Sequence, residues 1–382
     1  MAENTVKKKL PKGIMQRKDG RYMGRIMYAG ERYTLYDFSL KELQKKMIDL
    51  KYELEHDVYI KESDITIDKW YHTWLEEYKK PVVKRGTIGT YRNTYDSYIK
   101  KPFGKRKLKD LRPDQVQRLY NQLKEQGYSR NTVELVAVVL GNMYKQAVKN
   151  ELVSRNPVAL ATIPKFESRK ERRVLTKEEQ KMFLEESKKH YYAPLFELAL
   201  STGMRSGEIR GLQWEDLDFD KKIIHVRHTL VEDGNAFYLD EPKTAGSYRD
   251  IPMLPNVVVL LKKHKKEQME RRIRLGEYWQ SVSGLENLVG LTPTGAPIGK
   301  EYLNHCIKLI VRDINKAHPD FEYVTMHGLR HTFATRCIEN GMEPQVLKAI
   351  MGHSKLSITM DLYAHVLPDS KAQEMQKIAS LF

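Results

Sequence analysis

Cysteine is nearly absent: the 382-residue chain has two, Cys306 and Cys337. Two thiols cannot build a disulfide framework or a cysteine-rich zinc site, so stapled secreted scaffolds are excluded and a reducing cytosol is the expected compartment. Long apolar runs are missing as well; none approaches the ~18 residues that a membrane span requires. The N-terminal stretch MAENTVKKKLPKG has no apolar segment behind its lysines and does not read as a secretory signal. No internal repeat and no low-complexity tract is present. Acid is in deficit: 50 Asp+Glu face 66 Lys+Arg, a net charge of +16. A charged fraction of 30% with 41% hydrophobic residues is nevertheless a folded composition. At roughly 150 residues per domain the length suggests two or three domains.

The excess positive charge is unevenly placed. Residues 1–63 carry 14 basic and 10 acidic groups, residues 64–172 carry 23 and 12, and residues 173–382 carry 29 and 28. Two basic N-terminal blocks joined to a larger, nearly neutral one read as modules that grip a polyanion attached to something else. The alternative is a basic protein whose charge serves only solubility.

Local patterns give the coarse architecture. Arg21–Tyr28 and Glu31–Tyr36 alternate like strands between Asp19-Gly20 and Ala29-Gly30 turn signals, and Ser39 with Glu42 forms a capping box for a helix over Leu40–Glu55. A twisted sheet bearing Arg21, Arg25 and Arg32 could enter a DNA groove. The second block reads as helices over Ile67–Tyr78, Thr87–Tyr98, Asp114–Gln126 and Asn131–Lys149. Its aromatic stripe reads as core, whereas the basic stretch Lys100–Lys109, expected between helices and including Lys105, Arg106 and Lys107, reads as a phosphate contact. Pro164 and the charged run Arg169–Arg173 mark a linker. Thr176 with Glu179 then caps the first helix of the third block.

Five segments of that block carry the chemistry. Thr202-Gly-Met-Arg205-Ser-Gly-Glu208 places an arginine at a glycine-flanked helix start. Glu241-Pro-Lys243-Thr-Ala-Gly-Ser-Tyr-Arg249 puts a lysine at the expected tip of a β-hairpin. His327-Gly-Leu-Arg330-His-Thr-Phe-Ala-Thr presents His and Arg on one helical face. Met351-Gly-His353-Ser adds a histidine past a glycine, and Tyr363 follows ten residues on. One at a time these are ordinary: an ion pair of Arg205 with Glu208, a hairpin lysine, structural histidines, one tyrosine among 22. In this order and spacing they form a specific set.

That set resembles the tyrosine recombinases, the integrase family of phages and mobile elements. Residues 173–382 resemble the catalytic domain with a C-terminal tail helix, 64–165 a helical, SAM-like core-binding domain, and 1–60 an arm-binding domain of three strands and a helix. The three-part layout most resembles integrases of conjugative transposons from Gram-positive bacteria. The implied fold is multidomain, mainly α with small β-sheets, the catalytic domain being mixed α+β. The implied reaction cuts and rejoins double-stranded DNA, for both integration and excision.

Phosphodiester cleavage needs a nucleophile, neutralisation of the phosphate oxygens and a proton for the leaving oxygen. Arg205 and Arg330 can fork onto the non-bridging oxygens, with His353 donating to the same phosphate. Lys243 would protonate the leaving 5′ oxygen, and His327 would position or deprotonate the Tyr363 hydroxyl. Tyr363 would attack to give a 3′-phosphotyrosyl link, and Glu208 would orient Arg205. No metal or cofactor is implied. The implied partners are core and accessory arm DNA sites, three further copies of the chain around a Holliday junction, and an excisionase; no membrane is involved. The tail, with Met375, Ile378 and Leu381 at helical spacing, could dock on a neighbouring protomer or on its own core.

Three rivals stand against this reading. A metal-dependent nuclease could use the acidic run Glu215–Asp220, although that run reads as a strand entry and turn. A catalytically silent DNA-binding regulator would not need the whole set. A type IB topoisomerase shares the intermediate but not the arm-like first block. The arm assignment is directly testable: deleting residues 1–60 should weaken binding to accessory arm sites while sparing core-site affinity in a mobility-shift titration, and equal loss at both would reject it.

Overall fold

The computed structural model describes residues 10–55, 64–167, 173–234, 236–241 and 248–366. Lys243 and the tail residues Met375, Ile378 and Leu381 lie outside the described residues. The chain forms two units, Met1–Phe166 and Glu167–Phe382.

In the first unit, β1 (Ile14–Gln16), β2 (Tyr22–Tyr28) and β3 (Glu31–Asp37) form an antiparallel sheet in that order. Tyr28 lies opposite Glu31, so the β2–β3 turn is the two residues Ala29-Gly30. Helix α1 (Leu40–Glu55), capped by Ser39 Oγ accepting from the Glu42 N–H, sets Met47 against Gly24. Side chains alternate across a sheet. Arg25 and Arg32, opposite Thr34 and Met27, therefore project from the face away from Gly24 and are exposed.

The rest of this unit is helical: α2 (Ile67–Thr73), α3 (Arg85–Thr94), α4 (Lys100–Phe103), α5 (Pro113–Glu125) and α6 (Arg130–Lys149). Thr66 and Ser129 cap α2 and α6 through the Lys69 and Thr132 N–H groups. π-type turns over Trp74–Lys79 and Tyr95–Ile99 extend α2 and join α3 to α4. The aromatic stripe is core: Trp70, Tyr71, Trp74, Tyr95, Tyr120 and Tyr144 are buried together, with Tyr71 and Tyr95 stacked. The sequence reading needs one correction here. The basic stretch from Lys100 to Lys109 is not all connection, because the Lys100 N–H reaches the Tyr95 carbonyl and carries the helix on to Phe103, whose ring is buried. The connection proper begins at Gly104. The Arg106 carbonyl accepts from the Ile67 N–H, which pins it to α2.

The second unit contains α7 (Lys177–Ser187), α8 (Ala193–Thr202), α9 (Ser206–Arg210), strands β4 (Leu217–Asp218), β5 (Ile223–Val226), β6 (Thr229–Asp233), β7 (Ala236–Asp240) and β8 (Arg249–Pro252), then α10 (Pro255–Leu275), α11 (Tyr302–Ile314), α12 (Met326–Glu339), α13 (Pro344–Met351) and α14 (Leu356–Val366). The Thr176–Glu179 capping box forms in both directions. Phe183, Phe196, Leu198, Ile209, Ile307 and Leu329, from five helices, share one core.

β8 pairs with β5, and β7 pairs with β6. Among the described residues β7 and β8 belong to different sheets; the segment holding Lys243, expected at a hairpin tip, lies outside them. The β6–β7 hairpin turns between Asp233 and Ala236, where Gly234 has φ +61°. Among the described residues no helix is long and apolar enough to cross a membrane.

Trp74 is fully buried and lies against the Tyr91 ring. Trp74→Ala should destabilise the first unit by about 3–5 kcal/mol, read as a lower urea midpoint by circular dichroism.

Candidate active site

Two helix C-termini and one helix start meet in the second unit. α8 ends at Gly203 and α13 at Gly352, both at φ +62°. A side chain would be strained in that conformation; at Gly203 a Cβ would also stand 2.4 Å from Phe333 Cδ1. These left-handed caps turn backbone carbonyls toward arginines. Arg330 Nη1 donates to the Gly203 carbonyl at 2.6 Å and its Nη2 to the Met351 carbonyl at 2.6 Å. Arg205 Nη2 donates to the Gly352 carbonyl at 2.8 Å.

Arg205 precedes the single turn of α9, and Glu208 lies three residues on. The Glu208 carboxylate accepts from the Arg205 N–H at 2.8 Å and from Arg205 Nη1 at 2.8 Å. It also accepts both terminal nitrogens of Arg249, at 3.1 and 2.8 Å. Glu208 is 3% exposed and Arg330 2%, whereas the Arg205 side chain is 40% exposed. One guanidinium thus faces solvent and another is fixed beneath by backbone carbonyls.

The electrostatics follow from burial. Desolvation alone would push the Glu208 carboxyl up, but the hydrogen bonds and charges of Arg249 and Arg205 outweigh it and hold the group at about 2. Burial, then Arg205, lowers Arg330 to about 9. Burial, followed by the charges of Arg330, Arg205 and Arg249, lowers His353 to about 4. The cluster therefore holds more positive charge than Glu208 balances, an arrangement suited to an oxyanion. His353 Nδ1 lies 2.9 Å from Thr359 Oγ1. A hydroxyl proton on Nδ1 leaves the ring proton on Nε2 as a donor.

Arg205, Glu208, Arg330 and His353 are thus brought together. His327, one turn before Arg330 on α12, is exposed, with its ring edge-on to His331 at 4.5 Å. Tyr363 is not hydrogen-bonded to this cluster. Its hydroxyl donates to the Met342 carbonyl, and its ring packs on the α12–α13 seam formed by Ala334, Ile338, Leu347 and Met351. Burial raises its hydroxyl. The expected partner of its hydroxyl was His327; in this structure the ring rests on the apolar seam.

In the first unit Arg21 is paired with Asp19 at 2.7 Å, and Lys107 with Asp64 at 3.2 Å. Lys105 and Arg106 are exposed. The acidic run suggesting a metal site has structural uses. Asp216 accepts from the Gln213 N–H, and Asp218 accepts from the N–H groups of Asp220 and Lys221.

Sequence reasoning missed Arg249 and Thr359. Arg249 stands six residues after Lys243, at the start of a strand. Its basic character was visible, but its partner lies 41 residues away in the chain.

A family model described as the phage integrase family matches residues 173–369, and one described as the phage integrase N-terminal SAM-like domain matches residues 66–124. A tyrosine recombinase XerC-like protein of Caldanaerobacter subterraneus subsp. tengcongensis is 30% identical over 368 residues, 92% of each chain. The transposase from transposon Tn916 of Enterococcus faecalis is 26% identical over 400 residues, spanning 97% of this chain and 94% of its own. Among solved structures, the Tn1549 transposon integrase in complex with a circular intermediate DNA is 25% identical, with a TM-score of 0.69 over 82% of this chain and 100% of that one. A lambda integrase dimer bound to a core site shares the fold, with a TM-score of 0.54 at 17% identity. The chain belongs to the phage integrase family and is a tyrosine recombinase, an enzyme of DNA recombination.

Because His353 is held at about 4, the unfolded chain binds a proton there between pH 6.5 and 4 that the folded chain does not. Stability should therefore fall as pH drops through that window. His353→Asn should flatten this part of the pH dependence, measured by chemical denaturation at pH 7, 5.5 and 4.5.

Proposed function

We propose that this chain is the integrase of a mobile element of the conjugative-transposon kind, carrying out both integration and excision by conservative strand exchange. The observation that carries the reading is the cluster of Arg205, Arg330 and His353 around a single buried carboxylate, in the same unit as the Tyr363 helix. Arg205 and Arg330 bind the non-bridging oxygens of the scissile phosphate, where charge develops in the pentavalent transition state. Two of the five Arg330 N–H donors are committed to backbone carbonyls. The guanidinium plane is therefore fixed in advance, and the remaining donors need no reorganisation. Neutral His353 donates Nε2–H to the same phosphate.

Tyr363 leaves the Met342 carbonyl and attacks phosphorus, with His327 positioning or receiving its proton. The bond to the 5′ oxygen breaks, and Lys243 supplies the proton that makes the free 5′ hydroxyl. The 3′-phosphotyrosyl ester keeps the energy of the broken diester. A 5′ hydroxyl from the partner duplex reverses the step and reseals the strand. Two such exchanges, four protomers and a Holliday junction between them complete the reaction.

In this reading residues 1–60 grip arm sites through Arg21, Arg25 and Arg32, residues 64–165 grip the core site with Lys105, Arg106 and Lys107, and 173–382 carry the chemistry. An excisionase would bias the direction, and the C-terminal tail would link protomers. The similarity to the Tn916 transposase over nearly the whole chain supports the choice of element.

The deciding experiment is covalent trapping. Wild-type protein incubated with nicked attachment-site duplex in EDTA and then denatured should give a protein–DNA adduct. Tyr363→Phe should bind the duplex with unchanged affinity and give none. An adduct from that variant would remove Tyr363 as the nucleophile, and tight binding with no wild-type adduct across a library of crossover sites would favour a silent binder.

A further inference from the structure

Arg249 opens β8 and has a buried guanidinium, 6% exposed. Its Nε donates to the Ile350 carbonyl at 2.5 Å, while Nη1 and Nη2 donate to the two oxygens of Glu208. One planar group thereby ties the start of β8 to the turn of α9 that carries Arg205 and to the end of α13 that leads into Gly352 and His353. Contact with the last of these is close, since a Cβ on Gly352 would stand 3.0 Å from Arg249 Nη1.

The electrostatic cost shows that this is more than a convenient ion pair. Buried pairs contribute little net stability, and apolar replacements often do as well. Here a third guanidinium is placed close enough to Arg330 and His353 for its charge to disfavour protonation of both. What it supplies in return is geometry. Glu208 has two oxygens and four donors from two arginines, so the Arg249 fork fixes the carboxylate plane, and the carboxylate plane fixes Arg205. A lysine carries the charge but cannot reproduce a bidentate fork together with a third, in-plane donor.

We propose that Arg249 is a positioning residue for DNA strand cleavage: through Glu208 it aims Arg205 at the scissile phosphate, and through the Ile350 carbonyl it sets the turn that presents His353. The role rests on the phosphate clamp proposed above. Arg249 does not touch DNA in this scheme; it acts on the rate of cleavage rather than on the grip.

The test uses the full-length chain and the nicked duplex of the trapping assay. Single-turnover adduct formation is followed for wild type, Arg249→Ala and Arg249→Lys, with duplex affinity measured in parallel by anisotropy. Arg249→Ala should lower the cleavage rate constant by about 10²-fold, the scale of a misplaced catalytic group. Affinity and the final adduct fraction should stay near wild type, and Arg249→Lys should recover part of the rate. On a duplex whose scissile phosphate is replaced by a neutral methylphosphonate, the deficit of Arg249→Ala should shrink, because less charge needs a correctly aimed Arg205.

An unchanged rate constant overturns the proposal. So does a reduced adduct fraction with a normal rate in the remainder, which would mark a folding role, or an equal deficit on both duplexes. An adduct in Tyr363→Phe would instead sink the underlying reaction scheme, and this role with it.

Discussion

A single carboxylate, 3% exposed, stands among three arginines, and the second unit is organised around it. Glu208 accepts four hydrogen bonds from Arg205 and Arg249, and its charge offsets part of the repulsion that reaches Arg330. Removing an oppositely charged group from such a cluster leaves buried charge uncompensated, a far larger penalty than the loss of an exposed pair. The helix start at Arg205, the strand start at Arg249 and the helix end at Gly352 are therefore not free to move independently. The proposed phosphodiester site would gain its rigidity from this pairing.

The balance is deliberately incomplete. One carboxylate does not neutralise three guanidiniums, and the shortfall appears in the groups that cannot escape: Arg330 and His353 are both driven toward their uncharged forms. In the proposed complex a phosphate would favour the charged arginines. Phosphate binding there would offset the mutual repulsion of the arginines, a physical route to selective binding of a phosphodiester in the proposed scheme.

The proposed nucleophile is held on a different principle. Tyr363 sits on α14, whose Leu362 and Val366 pack with it on the α12–α13 seam. The arginines are fixed by hydrogen bonds to backbone carbonyls, but Tyr363 is held by apolar packing and one bond to the Met342 carbonyl. Apolar contacts are non-directional.

Much of this protein was legible in one dimension. Capping boxes at Ser39 and Thr176 and the periodic aromatics of the second block reflect interactions over three or four residues, and a sequence displays those directly. The ordered set of Arg205, Arg330, His353 and Tyr363 was equally visible, because each sits in a local motif. Where the reading failed, the deciding partner was distant. β8 pairs with β5 across the β6–β7 hairpin, a pairing that no local pattern displays. The helix ran on through Lys100 because a π-type turn and the burial of Phe103 carried it. The seat of Tyr363 was set by helix packing, and the partnership of Arg249 with Glu208 by a sheet edge meeting a helix start. The sequence by itself determined which chemical groups are available and which short elements carry them, since propensity and capping act locally. Only the tertiary structure decided how many arginines share one carboxylate and where the tyrosine rests, because burial and charge pairing depend on residues that the chain keeps far apart.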